Sequence, residues 1–264
     1  MNVIVRNRTP AEVYDSLFVP ALFQQWGPIV AEAARIKHGE DVLDVACGTG
    51  VAALAARERV GSTGKVCALD ANADMLMVAR RKSTEIDWRE GKAEMLPFAD
   101  QSFDAVISQF GLMFFDDRPA AFREMMRVLK PGGRIAVAVC DALDHSPGYA
   151  AFAQLLQRLF GQRVVEAFRA PFVLGDAESL LAITTAAGIS GAEVRRHMGS
   201  VRFSSITSLV STERACVWTL GGILDDAQFD RLLKESRTAL KPYTQQDDQI
   251  IFDLPVLIVT ASKA

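Results

Sequence analysis

At 264 residues, half of them apolar, the chain can build one large globular core or a core with an appended cap. Its net charge of -3 gives no general attraction to phosphate polymers or anionic lipid, which argues against nucleic acid as a partner. Cys47, Cys67, Cys140 and Cys216 are widely spaced, form no Cys-x-x-Cys pair and have no accompanying histidines, so free thiols in a reducing cytoplasm are expected, with no disulfide and no metal site.

Met1 to Pro10 lacks the apolar core of a signal peptide, and no later run approaches the roughly 20 apolar residues that span a bilayer. From about residue 40 the elements alternate with short connections. Asp41 to Ala46 reads as a strand, Val51 to Val60 as a helix and Lys65 to Asp70 as a second strand. A helix over Ala73 to Lys82 and strands near Ile86 to Arg89 and over Ser102 to Ser108 follow. Pro119 to Leu129 reads as a helix, with Asp117 as its cap, and Arg134 to Val139 as a fifth strand after the turn Lys130-Pro131-Gly132-Gly133. Such alternation predicts a parallel sheet covered on both faces.

After Cys140 the rhythm changes. Helices over Tyr149 to Leu159, Gln162 to Phe168 and Asp176 to Ala187 read as a cap inserted behind the fifth strand. Ala192 to Phe203 reads as one long strand, and Val256 to Ala261, starting at Pro255, as the last. Between them lie some forty residues of mainly helical pattern with apolar spacing at Phe229, Leu232, Leu233 and Leu240. The expected organisation is an N-terminal helical lid over 1-37, a Rossmann-like cofactor-binding core over 38-140, a helical cap over 141-190, and C-terminal strands over 191-264 with a helical insertion at about 204-249.

The most informative stretch is Val42-Leu43-Asp44-Val45-Ala46-Cys47-Gly48-Thr49-Gly50, followed by Asp70 at the end of the next strand. A strand that ends in an acid, turns on two glycines and enters an alanine-rich helix is a backbone cradle for a nucleoside cofactor. Gly48-x-Gly50-x-x-Ala53 formally satisfies the dinucleotide fingerprint, so charge must separate the candidates. A dinucleotide brings an anionic pyrophosphate to the turn, whereas S-adenosylmethionine brings an ammonium and a sulfonium. Unit charges ~4 Å apart interact by ~4 kcal/mol at an effective dielectric of 20, so Asp44 beside the turn favours the cationic ligand.

The same stretch is similar to motif I of the class I S-adenosylmethionine-dependent methyltransferases. Three further segments resemble their type 11 branch, which includes the ubiquinone and menaquinone C-methyltransferases. They are Ala93-Glu94-Met95-Leu96-Pro97-Phe98 with Ser102-Phe103-Asp104, then Gln109 to Phe115, and Arg123 to Gly133. The likeness covers about residues 14 to 140 well and the remainder loosely.

The resemblance implies an α/β fold: a Rossmann-like seven-stranded methyltransferase sheet, mostly parallel with the last strand antiparallel, carrying helical cap insertions. It also implies roles for the matching positions. Ala46, Gly48 and Gly50 would let the backbone approach the methionine portion. Asp70 would bind the ribose hydroxyls, Ala71 and Met75 would line the adenine, Ala93 and Glu94 would flank its edge, and Ser108 and Gln109 would face the methionine end and the acceptor. Lys92 stands where the family usually has aspartate; lysine cannot accept a bond from the adenine amino group, so either Glu94 substitutes or adenine is held more loosely.

His145, behind the fifth strand at the ligand-binding edge, is the candidate general base, against the bland reading of a loop residue. The proposed chemistry is methyl transfer to a small, lipophilic or aromatic acceptor at O, C or N, which relies on positioning and exclusion of water and needs no metal or nucleophile triad. The partners expected are that small molecule and, compatibly, a second copy of the chain. The rival readings are an NAD-dependent oxidoreductase, for which a Tyr-x-x-x-Lys pair is missing, and a cofactor-binding protein without turnover.

Overall fold

A computed structural model describes residues 8–264. Residues 1–7, which carry the start of the expected lid and most of the stretch read for a signal peptide, lie outside the described residues. In chain order the helices are α1 (Pro10–Val13), which runs into a wider π-type helix over Tyr14–Phe23, then α2 (Trp26–Ala33), α3 (Val51–Val60), α4 (Ala73–Arg80), α5 (Arg118–Val128), α6 (Pro147–Phe160), α7 (Gln162–Arg169), α8 (Ala177–Ala186), α9 (Ile206–Ala215) and α10 (Asp226–Ala239). The strands are β1 (Asp41–Val45), β2 (Lys65–Asp70), β3 (Ile86–Glu90), β4 (Phe103–Gln109), β5 (Leu129–Cys140), β6 (Glu193–His197), β7 (Ser200–Phe203), β8 (Ile250–Asp253) and β9 (Val256–Ser262).

Two compact units divide the chain. Phe23–Val139, Asp176–His197 and Leu257–Ala264 form a sheet unit; the described residues up to Leu22, Cys140–Gly175 and Met198–Val256 form a helical unit. The division thus falls after residues 22, 139, 175, 197 and 256, whereas the sequence pattern placed boundaries near 37, 140 and 190.

The sheet unit is built on seven strands in the order β3-β2-β1-β4-β5-β9-β6, mostly parallel with one antiparallel strand. β1 pairs in parallel with β2 on one side and β4 on the other. The chain runs outward from β1 through β2 to β3, then returns to start β4 beside β1, so the order reverses between them and a crevice opens beyond their carboxyl ends. Val42, Leu43 and Val45 are buried because β1 is covered on both faces. The small side chains Ala52, Ala53 and Ala56, all buried, let α3 lie close to the sheet, and Phe122 and Met125 of α5 are fully buried in the same unit. Helix starts follow local chemistry: Asn72 Oδ1 accepts from the Asp74 and Met75 amides at α4, and Asp117 Oδ1 accepts from Ala120 N at α5, the cap expected of it.

The helical unit gathers α1, α6, α7, α9 and α10 with an antiparallel pair, β7 against β8, in register Ser200↔Asp253 to Phe203↔Ile250. Its interior includes Phe152, Leu156, Phe168, Leu209 and Leu232.

Three elements differ from the sequence expectation. The strand expected over Ala192 to Phe203 is two strands in separate sheets. Both halves alternate, so their periodicity is continuous, but the chain leaves the first ladder at Met198-Gly199, and the Gly199 carbonyl accepts from Leu254 N instead. β8 lies in the stretch read without a strand; it is short and is laddered with β7. The expected turn over Lys130 to Gly133 belongs to β5, where the register shifts between Phe103 and Ala105 of β4 and the glycines bond with Lys263.

Candidate functional site

The crevice is lined by two sharp turns, one after β1 and one after β4. In the first, Ala46, Gly48 and Gly50 have φ of 58°, 53° and 93°. Left-handed backbone is easy for the glycines but costs Ala46 about 1–3 kcal/mol. In the second, Phe110 also has a positive φ of 59°. The two turns touch through Gly111, where a Cβ would lie 2.5 Å from Ala46 Cβ and 3.3 Å from Ser108 Oγ. A strained non-glycine residue in each of two touching turns at the switch point of an open sheet indicates a site held for a ligand.

The first turn is tied to β2. Cys47 N donates to Leu69 O at 3.0 Å, Gly48 N to Asp70 Oδ2 at 2.7 Å, and Asn72 N to Asp70 Oδ1 at 2.8 Å. Burial raises the Asp70 pKa, and the amides of Asn72, Gly48 and Ala71 pull it partly back. Asp44 is wholly buried between β2 and β4, and neither carboxylate oxygen makes a hydrogen bond of good geometry. Burial drives its pKa well above the carboxylate range; the Ala53 amide offsets this weakly and the Asp70 charge adds to it. The Cys47 thiol is also pushed well up, by burial first and then by Asp44 and Asp70, so it is no nucleophile.

Other buried polar atoms of this unit are left without partners. They include Thr49 Oγ1, Ser108 Oγ, Gln109 Oε1 and Trp26 Nε1; Gln109 Nε2 does donate, to Phe23 O at 3.1 Å. A buried polar group without a bond costs roughly 1–3 kcal/mol, and native proteins keep few of them. Their gathering at the ends of β1 and β4 fits a polar, positively charged guest that supplies the missing bonds. An anionic pyrophosphate would instead meet the Asp44 charge at the turn.

The residues expected along the adenine are placed by separate devices. Met75 is buried in the first turn of α4 and Ala71 is exposed before it. Ala93 is buried, and the following loop is clamped by α5: Glu124 Oε2 accepts from Leu96 N at 2.8 Å, while Arg127 donates to Leu96 O at 3.0 Å and Phe98 O at 2.9 Å. Glu94 Oε1 accepts from Asp116 N at 3.0 Å, and Lys92 Nζ lies 3.4 Å from Asp116 Oδ2. One Glu94 oxygen is therefore engaged by backbone, and Lys92 is turned to an exposed partner.

Asp44, Ala46, Gly48, Gly50, Asp70, Ala71, Met75, Ala93, Glu94, Ser108 and Gln109 all belong to the sheet unit; His145 belongs to the helical unit. There His145 Nδ1 lies 3.0 Å from Oδ1 of Asp141, whose buried carboxylate also accepts from Ala142 N at 2.7 Å. With Nδ1–H donating to Asp141, the neutral ring presents Nε2 as an acceptor, the pairing of a base with its orienting carboxylate. Asp141 was not singled out in the sequence as that partner, although spacing of four residues on a turn is compatible with it. Thr49 and Trp26 were missed too, because an unmet hydrogen bond leaves no sequence signal. Among the described residues no three His, Cys, Asp or Glu side chains converge as a metal site.

Fold and site together define a Rossmann-like nucleoside-binding protein of the methyltransferase class. The model of the ubiE/COQ5 methyltransferase family matches residues 12–164, and the chain belongs to that family. A ubiquinone/menaquinone biosynthesis C-methyltransferase of Xanthomonas campestris is 42% identical over 132 residues, which is 48% of this chain and 52% of that protein. A demethylmenaquinone methyltransferase of Staphylococcus carnosus is 32% identical over 207 residues, covering 71% and 85%. The chain spans about half the length of most of the curated relatives it matches. Among solved structures, a Bacillus halodurans protein superposes with a TM-score of 0.61 at 22% identity over 90% of this chain and 98% of its own. The Haemonchus contortus phosphoethanolamine N-methyltransferase 2, solved with S-adenosyl-L-methionine, gives 0.59 at 18% over 98% of this chain and 59% of its own. These two likenesses speak for the fold alone. No helix among the described residues is long and apolar enough to cross a membrane.

Proposed function

We propose that the chain binds S-adenosylmethionine in the crevice between β1 and β4 and methylates a small, lipophilic, quinone-like aromatic acceptor. The observation that carries this reading is the buried Asp44 carboxylate, without a good hydrogen bond and next to Asp70, at a strained glycine turn. The cofactor supplies a methyl group on an electrophilic sulfonium. The chain's residues bind and orient: Ala46, Gly48 and Gly50 expose backbone to the methionine portion, and Asp70 receives ribose hydroxyls. Met75, Ala71, Ala93 and Glu94 surround the adenine, and the open hydrogen-bonding capacity of Ser108 and Gln109 is directed to the reacting end. His145, oriented by Asp141, takes the acceptor's proton.

The relatives' names support a quinone ring as acceptor and carbon as the methylated atom. Cytoplasmic location is supported by the four free thiols. The partners in this reading are the small acceptor and, compatibly, a second copy of the chain, with no nucleic acid. The oxidoreductase alternative is disfavoured by the Asp44 carboxylate at the turn.

Calorimetry with S-adenosylhomocysteine and NADH, followed by mass spectrometry of a reduced naphthoquinone incubated with labelled methyl donor, tests the reading. Binding of the homocysteine alone and a methylated ring are expected. Preference for NADH would overturn it, and cofactor binding with no methylated product from a library of small acceptors would reduce it to a binding protein.

A further inference from the structure

The two turns of the crevice are held from a third side, by the start of α2. All the residues concerned, from Phe23 to Ala138, lie within the sheet unit. Gly27 packs its backbone on the first turn of α3: a Cβ there would fall 2.8 Å from Val51 O, 3.1 Å from Val51 Cγ1 and 3.3 Å from Ala55 Cβ. Val51 directly follows Gly50, the left-handed residue that closes the first turn. Further along, Arg59 of α3 reaches back to Pro28 O at 3.4 Å and Glu32 Oε2 at 3.3 Å, which keeps the two helices paired.

The same helix start meets the second turn. Trp26, fully buried, stands edge-on to the Phe110 ring at 6.4 Å, and Phe23 lies tilted on that ring at 5.2 Å. Gln109 Nε2 donates to Phe23 O, and Phe110 N donates to Ala138 O at 2.9 Å. The contacts close a triangle: α2 reaches the first turn through Gly27 and Val51 and the second through Trp26 and Phe110, and the turns meet each other at Gly111 and Ala46.

This triangle accounts for the left-handed backbone of Phe110. A non-glycine residue keeps such a φ only where its surroundings over-determine it, and the handle here is a ring gripped by two others, whose edge and face preferences fix its orientation. If Phe110 relaxed to a negative φ, Gly111 would swing away from Ala46, and Ser108 and Gln109 would lose their place opposite the glycine turn. Core filling alone does not call for tryptophan at this point, because its Nε1 is buried without an acceptor.

We propose that Trp26 is a positioning residue of the methyl-transfer site: through Phe110 it holds the turn after β4, and with it Ser108 and Gln109, at the reacting end of the cofactor. This deepens the methyltransferase reading and rests on it. Trp26 acts on the ligand only through Phe110. The nucleoside half of the cofactor, assigned to Asp70, Ala71, Met75, Ala93 and Glu94, does not depend on it, whereas the amino-acid half does.

That division sets the test, a calorimetric titration of the full chain with S-adenosylhomocysteine and with methylthioadenosine, which keeps the nucleoside and the sulfur but lacks the amino-acid portion. W26L should weaken S-adenosylhomocysteine about tenfold and leave methylthioadenosine within about twofold of the parent. Lost stability alone would lower both affinities alike, or neither. W26F keeps an aromatic ring against Phe110 and removes the N–H, so it should bind both ligands as the parent does. F23L takes the second ring off Phe110 and leaves Trp26 whole; it should act in the same direction, about threefold, and decides the matter if W26L folds poorly. Equal losses for the two ligands, no loss in W26L and F23L, or a W26F as weak as W26L would overturn the assignment. Amide exchange over residues 109–115, measured without ligand against β2 as internal reference, should rise in W26L and not in W26F. Failure of the parent chain to bind S-adenosylhomocysteine strikes the methyl-transfer reading itself, and the hold of Trp26 on Phe110 is then decided by exchange alone: an unchanged rate in W26L sinks it.

Discussion

The sheet unit and the helical unit each bury an acid that meets no cation among the described residues, and they do so by different means. Asp44 is fixed by β1, whose backbone is laddered on both sides to β2 and β4, and its side chain is wholly buried. Glu213 sits at the end of α9, and its burial depends on the turn that returns Thr219 Oγ1 to its carboxylate and on the Tyr149 phenol, 64 positions earlier in the chain. One acid is thus positioned by a ladder of neighbouring strands, the other by contacts between segments distant in sequence.

The largest expected effects come from emptying each core. Phe122 of α5 and Phe152 of α6 are both fully buried, and replacing either by alanine should cost about 3–5 kcal/mol in chemical denaturation. If the units differ as argued, F122A also weakens S-adenosylhomocysteine binding, while F152A leaves that affinity near wild type and raises hydrogen exchange in α6, α7 and α10. Equal loss of cofactor binding in both variants would erase the distinction.

Next in size is the relief of a buried acid. The folded chain keeps the Glu213 proton up to about pH 7, and the unfolded chain releases it near 4.5. Its stabilising share is therefore complete below about 4.5 and is lost as pH rises to about 7. At roughly 1.4 kcal/mol for each pH unit of displacement, E213Q should be more stable than the parent above pH 7 by about 3 kcal/mol, and nearly equal to it at pH 4. A melting profile in which the two chains differ equally at both ends would show that the acid is not buried in solution as it is here.

The cradle was legible because its signals are local: an acid closing a strand, two glycines, an alanine-rich helix and a second acid after the next strand occupy Asp44 to Asp70 in sequence. Asp117 was legible as a cap for the same reason. Ser108 and Gln109 entered through resemblance, and their unmet bonds appear only when β4 is laid beside β1. The split at Met198-Gly199 was hidden because alternation is the same in both halves, and β8 was hidden because a four-residue strand depends on finding β7. Glu213 carries no signal in the sequence, since nothing nearby announces Thr219 folding back or Tyr149 arriving from α6.

A smaller change probes the sheet unit's own acid. D44N keeps shape and removes charge, so S-adenosylhomocysteine affinity should fall about tenfold, or roughly 1.4 kcal/mol, while stability at neutral pH rises because the raised pKa of Asp44 marks an unfavourable buried charge. Binding and stability moving in opposite directions is the mark of a site strained for function. If both fell together, Asp44 would be a structural residue, and the cationic guest would lose its main support.

The smallest effect concerns Lys92, where the chain departs from its family. The Lys92–Asp116 pair is exposed at 67% and 85% of the two side chains, so it is screened and contributes little. Breaking it should leave the melting temperature almost unchanged. K92D supplies an acceptor where lysine has only donors, and one oxygen of Glu94, the alternative acceptor, is already taken by the Asp116 amide. The variant is therefore expected to bind S-adenosylhomocysteine about threefold more tightly and to discriminate more strongly against S-inosylhomocysteine, which lacks the adenine amino group, in line with the ~0.5–1.5 kcal/mol of an ordinary hydrogen bond. Unchanged discrimination would mean that Glu94 already reads the amino group with its other oxygen, and that the sheet unit compensates within its own loop for the residue it lost.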